Sequence, residues 1–148
     1  MTLLAPGARI IHPGILDALA RVGHKGRILV CDALYSTATA TNPRSRVVHL
    51  ALTAGTPTVT EVVRTLAEAV EIEALVRMCP ESGETGLPVH REVDALLPTT
   101  RVAHDWVDRG AFYDLARDRE VALCLATGDT RRFANVLLTV GAPTVATP

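Results

Sequence analysis

One apolar run, Ile28-Leu29-Val30-Cys31, restricts the folds open to this chain more than any other stretch; it lies between Gly23-His24-Lys25-Gly26-Arg27 and Asp32-Ala33. Consecutive rather than alternating apolar residues mean a strand covered on both faces, the condition of a largely parallel sheet flanked by helices. Upstream, His12-Pro13-Gly14 opens a helix in which Pro13 suits the first turn. Ile15, Leu16, Leu19, Ala20 and Val22 then form an apolar stripe that runs to Gly23, a residue able to take the left-handed backbone that ends a helix. His24 therefore falls in a helix-to-strand turn. Asp32 falls at the carboxyl end of the strand, the edge where open α/β sheets bind ligands.

The alternation continues downstream. Tyr35 to Pro43 is rich in Ser, Thr, Ala and Asn without periodicity, so it is a loop, and its start at the ligand edge makes it a candidate pocket wall. Arg46 to Thr53 is a second strand. Thr58-Val59-Thr60-Glu61 has capping-box spacing and opens a helix that turns Val62, Val63, Leu66, Ala69 and Val70 inward. Ile72 to Cys79 is a third strand, and Pro80 to Pro88 a polar loop. Val89, Val93, Leu96 and Leu97 mark a short helix stopped by Pro98. Arg101 to Val107 makes a fourth strand, and Asp108 can cap a helix beginning at Arg109. Glu120 to Thr127 and Asn135 to Val140 are two apolar strands joined through Gly128, close enough in sequence to be antiparallel neighbours. The expected fold is one layered α/β domain over residues 1–148, with a mixed, mostly parallel sheet flanked by helices.

Composition narrows the partners. The chain is 48% hydrophobic, and its net charge of −1 offers no electrostatic footprint for nucleic acid or an anionic membrane. No apolar run approaches the roughly 20 residues of a membrane helix, and Pro6-Gly7 interrupts any leader-like stretch, so the expected setting is cytoplasmic. Cys31, Cys79 and Cys124 are odd in number, lie in apolar runs and lack metal-ligand spacing, which makes them small buried hydrophobes. His12, His49, His90 and His104 are not spaced as ligands of a shared metal and are expected to be solvated or at the core edge. Phe112, Leu115 and Ala116 fall at core spacing, whereas Tyr113, one residue off that stripe, suits a subunit boundary. Asp32 to Thr41 contains no glycine, against a phosphate-binding loop after the first strand.

Several segments together carry a resemblance. The N-terminal helix runs into Gly23-His24, and an apolar strand is closed by Asp32-Ala33. Later come Arg109-Gly110-Ala111-Phe112-Tyr113-Asp114-Leu115-Ala116, then Ala126-Thr127-Gly128-Asp129-Thr130, then Phe133-Ala134-Asn135 ahead of Gly141. Their order and spacing resemble the ribose pyranase / fucose mutarotase family, small isomerases that act on the anomeric centre of free sugars, and the Arg109 segment is similar to the fucose-type branch. The resemblance implies interconversion of anomeric or pyranose and furanose forms of a free monosaccharide, with L-fucose or a related sugar as substrate. It also implies no metal or other cofactor, and a ring-shaped homo-oligomer (decamer or octamer) with sites at subunit boundaries.

The resemblance assigns the acid/base role to His24, a type suited to it because its unperturbed pKa lies near neutrality. Asp32, Arg109, Phe133 and Asn135 are then the sugar-binding set: Asp32 accepts from hydroxyls, Arg109 donates, and Asn135 does both. Phe133 stands where the family carries a tyrosine, so one phenol is missing, and Tyr35 is the candidate to replace it. That departure keeps open a second reading, a non-catalytic monosaccharide-binding or transport-accessory protein. A nucleotide-binding domain and a purely structural ring-former are the remaining alternatives.

Overall fold

β1 (Arg27–Cys31) is covered on both faces, as its apolar run requires. Ile28 and Val30 join one buried cluster while Leu29 and Cys31 join another on the opposite face. A computed structural model describes residues 2–143. α1 (Pro13–Val22) leads into β1 and is followed by β2 (Arg46–His49), α2 (Val59–Ala69), β3 (Ile72–Met78) and α3 (Pro88–Leu96); β4 (Ala103–Val107), α4 (Arg109–Ala116), β5 (Val121–Ala126) and β6 (Val136–Val140) complete the order. Buried residues of α1, α2 and α3 belong to the first cluster; Phe112 and Ala116 of α4, with Tyr35 and Ala40 of the loop after β1, belong to the second.

Local chemistry sets the helix ends. Thr58 accepts from the Glu61 amide at 3.1 Å while the Glu61 carboxylate accepts from the Thr58 amide at 2.7 Å, completing the capping box. The Asp108 carboxylate accepts from the Ala111 amide. His12, expected to be solvated or at the core edge, is the N-cap of α1: its Nδ1 accepts from the amides of Gly14 and Ile15.

The six strands form a mixed sheet in the order β2-β5-β1-β6-β3-β4. β1 is parallel to β5, β2 to β5 and β3 to β4, whereas β6 runs antiparallel to β1 and β3. The expectation that the last two strands are neighbours is thus corrected: β1 lies between them. The link over residues 127–135 that looks like a hairpin turn instead carries the chain across the carboxyl end of β1, where Thr127 donates from both N and Oγ1 to the Cys31 carbonyl and Ala33 donates to the Asp129 carbonyl. β2 is also shorter than its apolar pattern. After Leu50 donates to Ala126, the chain turns at Thr53 to Thr56 and packs on Gly128, where a Cβ would lie 2.4 Å from the Thr56 carbonyl oxygen. Among the described residues no helix is long and apolar enough to cross a membrane.

Candidate functional site

The crossing of β1 by the β5–β6 connection builds a polar cavity. Asp32 follows β1 and Asn135 precedes the antiparallel β6, so both emerge at the same edge of the sheet. The Asn135 side-chain oxygen accepts from the Asp32 amide at 2.8 Å, and both residues are buried. One Asp32 carboxylate oxygen accepts from the Leu34 amide at 2.9 Å, which leaves the other for a ligand. Burial pushes the Asp32 carboxyl above its ordinary range, against the opposing pull of the Leu34 amide and Asn135. Arg109, at the start of α4, and Phe133, in the connection, complete this side of the cavity, which measures about 210 Å³ and is also lined by Leu34, Tyr35, Met78, Tyr113 and Arg132. That volume suits a monosaccharide-sized ligand with a few convergent polar groups.

Four of the five candidate residues, Asp32, Arg109, Phe133 and Asn135, therefore share one cavity. His24 lies at the other end of β1, and the strand alone, at about 3.3 Å per residue, keeps it more than roughly 13 Å from Asp32 in the same chain. Its turn is closely specified. Gly23 has φ 71°, Lys25 also has φ 71°, and a Cβ on Gly26 would lie 2.5 Å from Val22 Cγ1 and 2.7 Å from the Val22 carbonyl oxygen. The turn is tied to β6 by the Lys25 amide donating to Val140 and the Val140 amide donating to Gly26. The His24 side chain is 49% exposed, with Nε2 at 3.1 Å from Glu73, which also pairs with Lys25. The Lys25 ammonium, foremost, holds the Glu73 carboxyl below its ordinary range. A cavity of about 180 Å³ is lined by His24 together with Thr2, Leu3, Glu71 and residues 141–143.

The Tyr35 phenol does not replace the missing hydroxyl at Phe133. It donates to the Ala40 carbonyl at 2.5 Å, and only the ring faces the cavity. Tyr113 does bring a phenol to the cavity, from one helical turn beyond Arg109; that spacing was the available sequence signal. His90, expected to be solvated or at the core edge, is 1% exposed. Its Nε2 donates to the Phe133 carbonyl at 2.8 Å, which leaves Nδ1 as a buried acceptor without a partner. Burial lowers the His90 pKa against the opposing pull of the Phe133 carbonyl, which favours the neutral ring with its proton on Nε2. Phe133 itself has φ 59°, a left-handed conformation uncommon for an aromatic residue. The His90 contact holds that turn and with it the ring over the cavity.

A larger cavity of about 260 Å³ lies between α1 and α2, walled mainly by apolar residues such as Ile10, Ile15, Val62 and Leu66. Its His12 and Glu61 are committed to helix caps and its Arg9 to Glu68. It lacks the free, convergent polar groups of the Asp32 cavity. Among the described residues no three His, Cys, Asp or Glu side chains stand together as metal ligands.

The profile of the RbsD / FucU transport protein family matches residues 7–143. The chain belongs to this family. Curated relatives include D-ribose pyranase 2 of Streptomyces griseus, 32% identical over 133 residues, or 89% of this chain and 94% of that one. The D-ribose pyranase of Streptomyces avermitilis is 33% identical over 138 residues, covering 90% and 95%. Among solved structures, Bacillus subtilis RbsD complexed with D-ribose superposes with TM-score 0.78 at 19% identity, covering 90% of this chain and 95% of that one. The fucose mutarotase in complex with L-fucose from Streptococcus pneumoniae superposes with TM-score 0.76 at 18% identity, covering 93% and 97%. At those identities the structures establish a shared fold. Ribose-type and fucose-type members both stand among these proteins, and the comparisons do not separate the two branches.

Proposed function

We propose that this chain is a sugar isomerase that interconverts anomeric, or pyranose and furanose, forms of a free monosaccharide. The observation that carries the reading is the Asp32–Asn135 pair at the carboxyl end of β1, set in a cavity of monosaccharide size in a chain related to D-ribose pyranases. The free Asp32 oxygen accepts from a sugar hydroxyl, and the Asn135 amide and Arg109 guanidinium donate to hydroxyls or the ring oxygen. The reaction removes the proton of the anomeric hydroxyl as the bond from the anomeric carbon to the ring oxygen breaks and that oxygen gains a proton. Rotation and closure on the other face of the carbonyl complete the exchange. This chemistry needs a group titrating near neutrality but no cofactor.

His24 supplies that group from a second copy of the chain. Within one chain β1 holds it away from the cavity, whereas an interface that sets one copy's Gly23–Gly26 turn against another's cavity brings the residues together. Leu34, 76% exposed on the cavity wall, is an apolar surface such a neighbour would cover. The resemblance supports a closed ring with a site at each boundary. The similarity of the Arg109 to Ala116 segment favours L-fucose or a related sugar. The second reading, a binder without catalysis, draws on Phe133 and on the diversion of the Tyr35 phenol.

Subunit complementation tests the shared site. His24→Ala and Asp32→Asn each lower enzyme-dependent anomer exchange, followed by exchange NMR, and loss of a positioned acid/base costs about 10²–10⁴-fold. Equal amounts mixed and allowed to exchange subunits regain roughly a quarter of the parent activity, the share of boundaries at which both residues are intact. No recovery in demonstrably mixed oligomers refutes the shared site. Binding of sugar by the parent without any exchange establishes the second reading.

A further inference from the structure

Two guanidinium groups flank the ring of Phe133 in the Asp32 cavity. The central guanidinium carbon of Arg109 lies 5.4 Å from the ring centroid and that of Arg132 lies 5.7 Å from it, and both side chains line the cavity. Their commitments differ from those of neighbouring Arg131. Arg131 is neutralised by Asp129 and Glu92 at 2.9 Å each, the Asp129 side chain being 2% exposed. Arg132 makes no ion pair or hydrogen bond among the described residues. Arg109 reaches only Glu81, at 3.7 Å, whose side chain is 80% exposed and is therefore weakly coupled through solvent. The carboxylate of the same cavity, Asp32, already accepts from Leu34.

A neutral sugar needs hydroxyl partners, and Asp32, Asn135, Tyr113 and one arginine provide them. The second, unpaired guanidinium on an apolar ring has no such use. Arg132 is exposed at the cavity rim and lies within cation–π range of Phe133, and a guanidinium fork matches the two oxygens of a carboxylate or of a phosphate. Phe133 contributes no hydroxyl beside them, so polar recognition at this wall falls to the two arginines. The geometry points to a monosaccharide bearing an anionic group, a carboxylate or a phosphate, as the ligand of this cavity, with Arg132 and Arg109 holding the anion and Asp32 and Asn135 holding the sugar hydroxyls. This inference rests on the Asp32 cavity being the sugar site proposed above, and it sets an anionic sugar in place of the neutral L-fucose of that reading.

The test compares galactose, galacturonate and galactose 6-phosphate, each with a free anomeric hydroxyl, on the intact oligomer, with binding read by calorimetry and anomer exchange by NMR. The expected result is at least about tenfold tighter binding of one anionic sugar than of galactose, equivalent to ~1.4 kcal/mol, with the margin shrinking as salt rises. The preferred one of the two names the anion. Arg132→Leu abolishes the preference and Arg132→Lys retains part of it, with circular dichroism and oligomer mass unchanged. Equal or tighter binding of galactose overturns the inference, as does a preference that survives Arg132→Leu. The two proposals fail separately. Exchange of galactose without an anionic preference leaves the isomerase and removes the inference. Arg132-dependent binding of galacturonate with no exchange of any sugar supports the inference and removes the isomerase.

Discussion

Replacing Asn135 separates what this residue does for the fold from what it does for a ligand. Its side-chain oxygen is the partner of the buried Asp32 amide at 2.8 Å, whereas its amide nitrogen has a 4.0 Å contact with the Met78 sulfur and faces the Asp32 carboxyl, whose pKa it helps to lower. The nitrogen is also available to a sugar. Asn135→Leu, similar in volume, strands the Asp32 N–H in the core, and an unsatisfied buried donor costs about 1–3 kcal/mol. For a domain of this size that lowers Tm by roughly 2 to 12 °C at fixed protein concentration. Asn135→Asp keeps an oxygen for the Asp32 amide but exchanges the ligand donor for an acceptor and sets a second carboxyl beside Asp32. Two adjacent carboxyls cannot both ionise freely, so this variant binds sugar poorly near neutrality and improves as pH falls, whereas Asn135→Leu shows no such recovery. Thermal denaturation and sugar titrations across pH distinguish the two. An unchanged Tm in Asn135→Leu, or parent-like binding at neutral pH in Asn135→Asp, refutes this account of the Asp32–Asn135 pair.

Asp32 trades stability for binding. Burial raises its folded-state pKa above the unfolded value, so the stability it contributes is present below the unfolded pKa and is lost as pH rises through the folded one. Asp32→Asn is therefore more stable than the parent at neutral pH and loses that advantage in acid, as denaturant melts at several pH values check; a variant less stable at neutral pH contradicts it. Phe133→Tyr returns the phenol that the family carries at this position, and the expected effect is anomer exchange raised or unchanged, since a restored hydrogen bond contributes about 0.5–1.5 kcal/mol. A marked loss of exchange in this variant shows that the ring is packed too closely to accept a hydroxyl.

Elements whose cause is local were legible in the sequence. The uninterrupted apolar run of β1, the Thr58–Glu61 capping box and the Asp108 cap act over a few residues, and they appear where their patterns place them. The set Asp32, Arg109, Phe133 and Asn135 was also legible, through motif order, and the four share a cavity. Strand order was not, because pairing partners compete over the whole chain. The short span between β5 and β6 suits a hairpin as well as a passage over β1, and β1 takes the central place because its side chains are buried on both faces while its backbone edges pair with β5 in parallel on one side and β6 antiparallel on the other. That passage decides the site: it carries Asn135 to the Asp32 amide and sets Phe133 within cation–π range of Arg109 and Arg132. His90 shows the same limit, since a lone histidine in a helix pattern gives no sign that a carbonyl from 43 residues away will meet its ring. The separation of His24 from Asp32 likewise follows from β1 being extended. Local periods determined which elements form and the order of motifs grouped the candidate side chains, and only the long-range pairing of strands decided which of them meet within one chain.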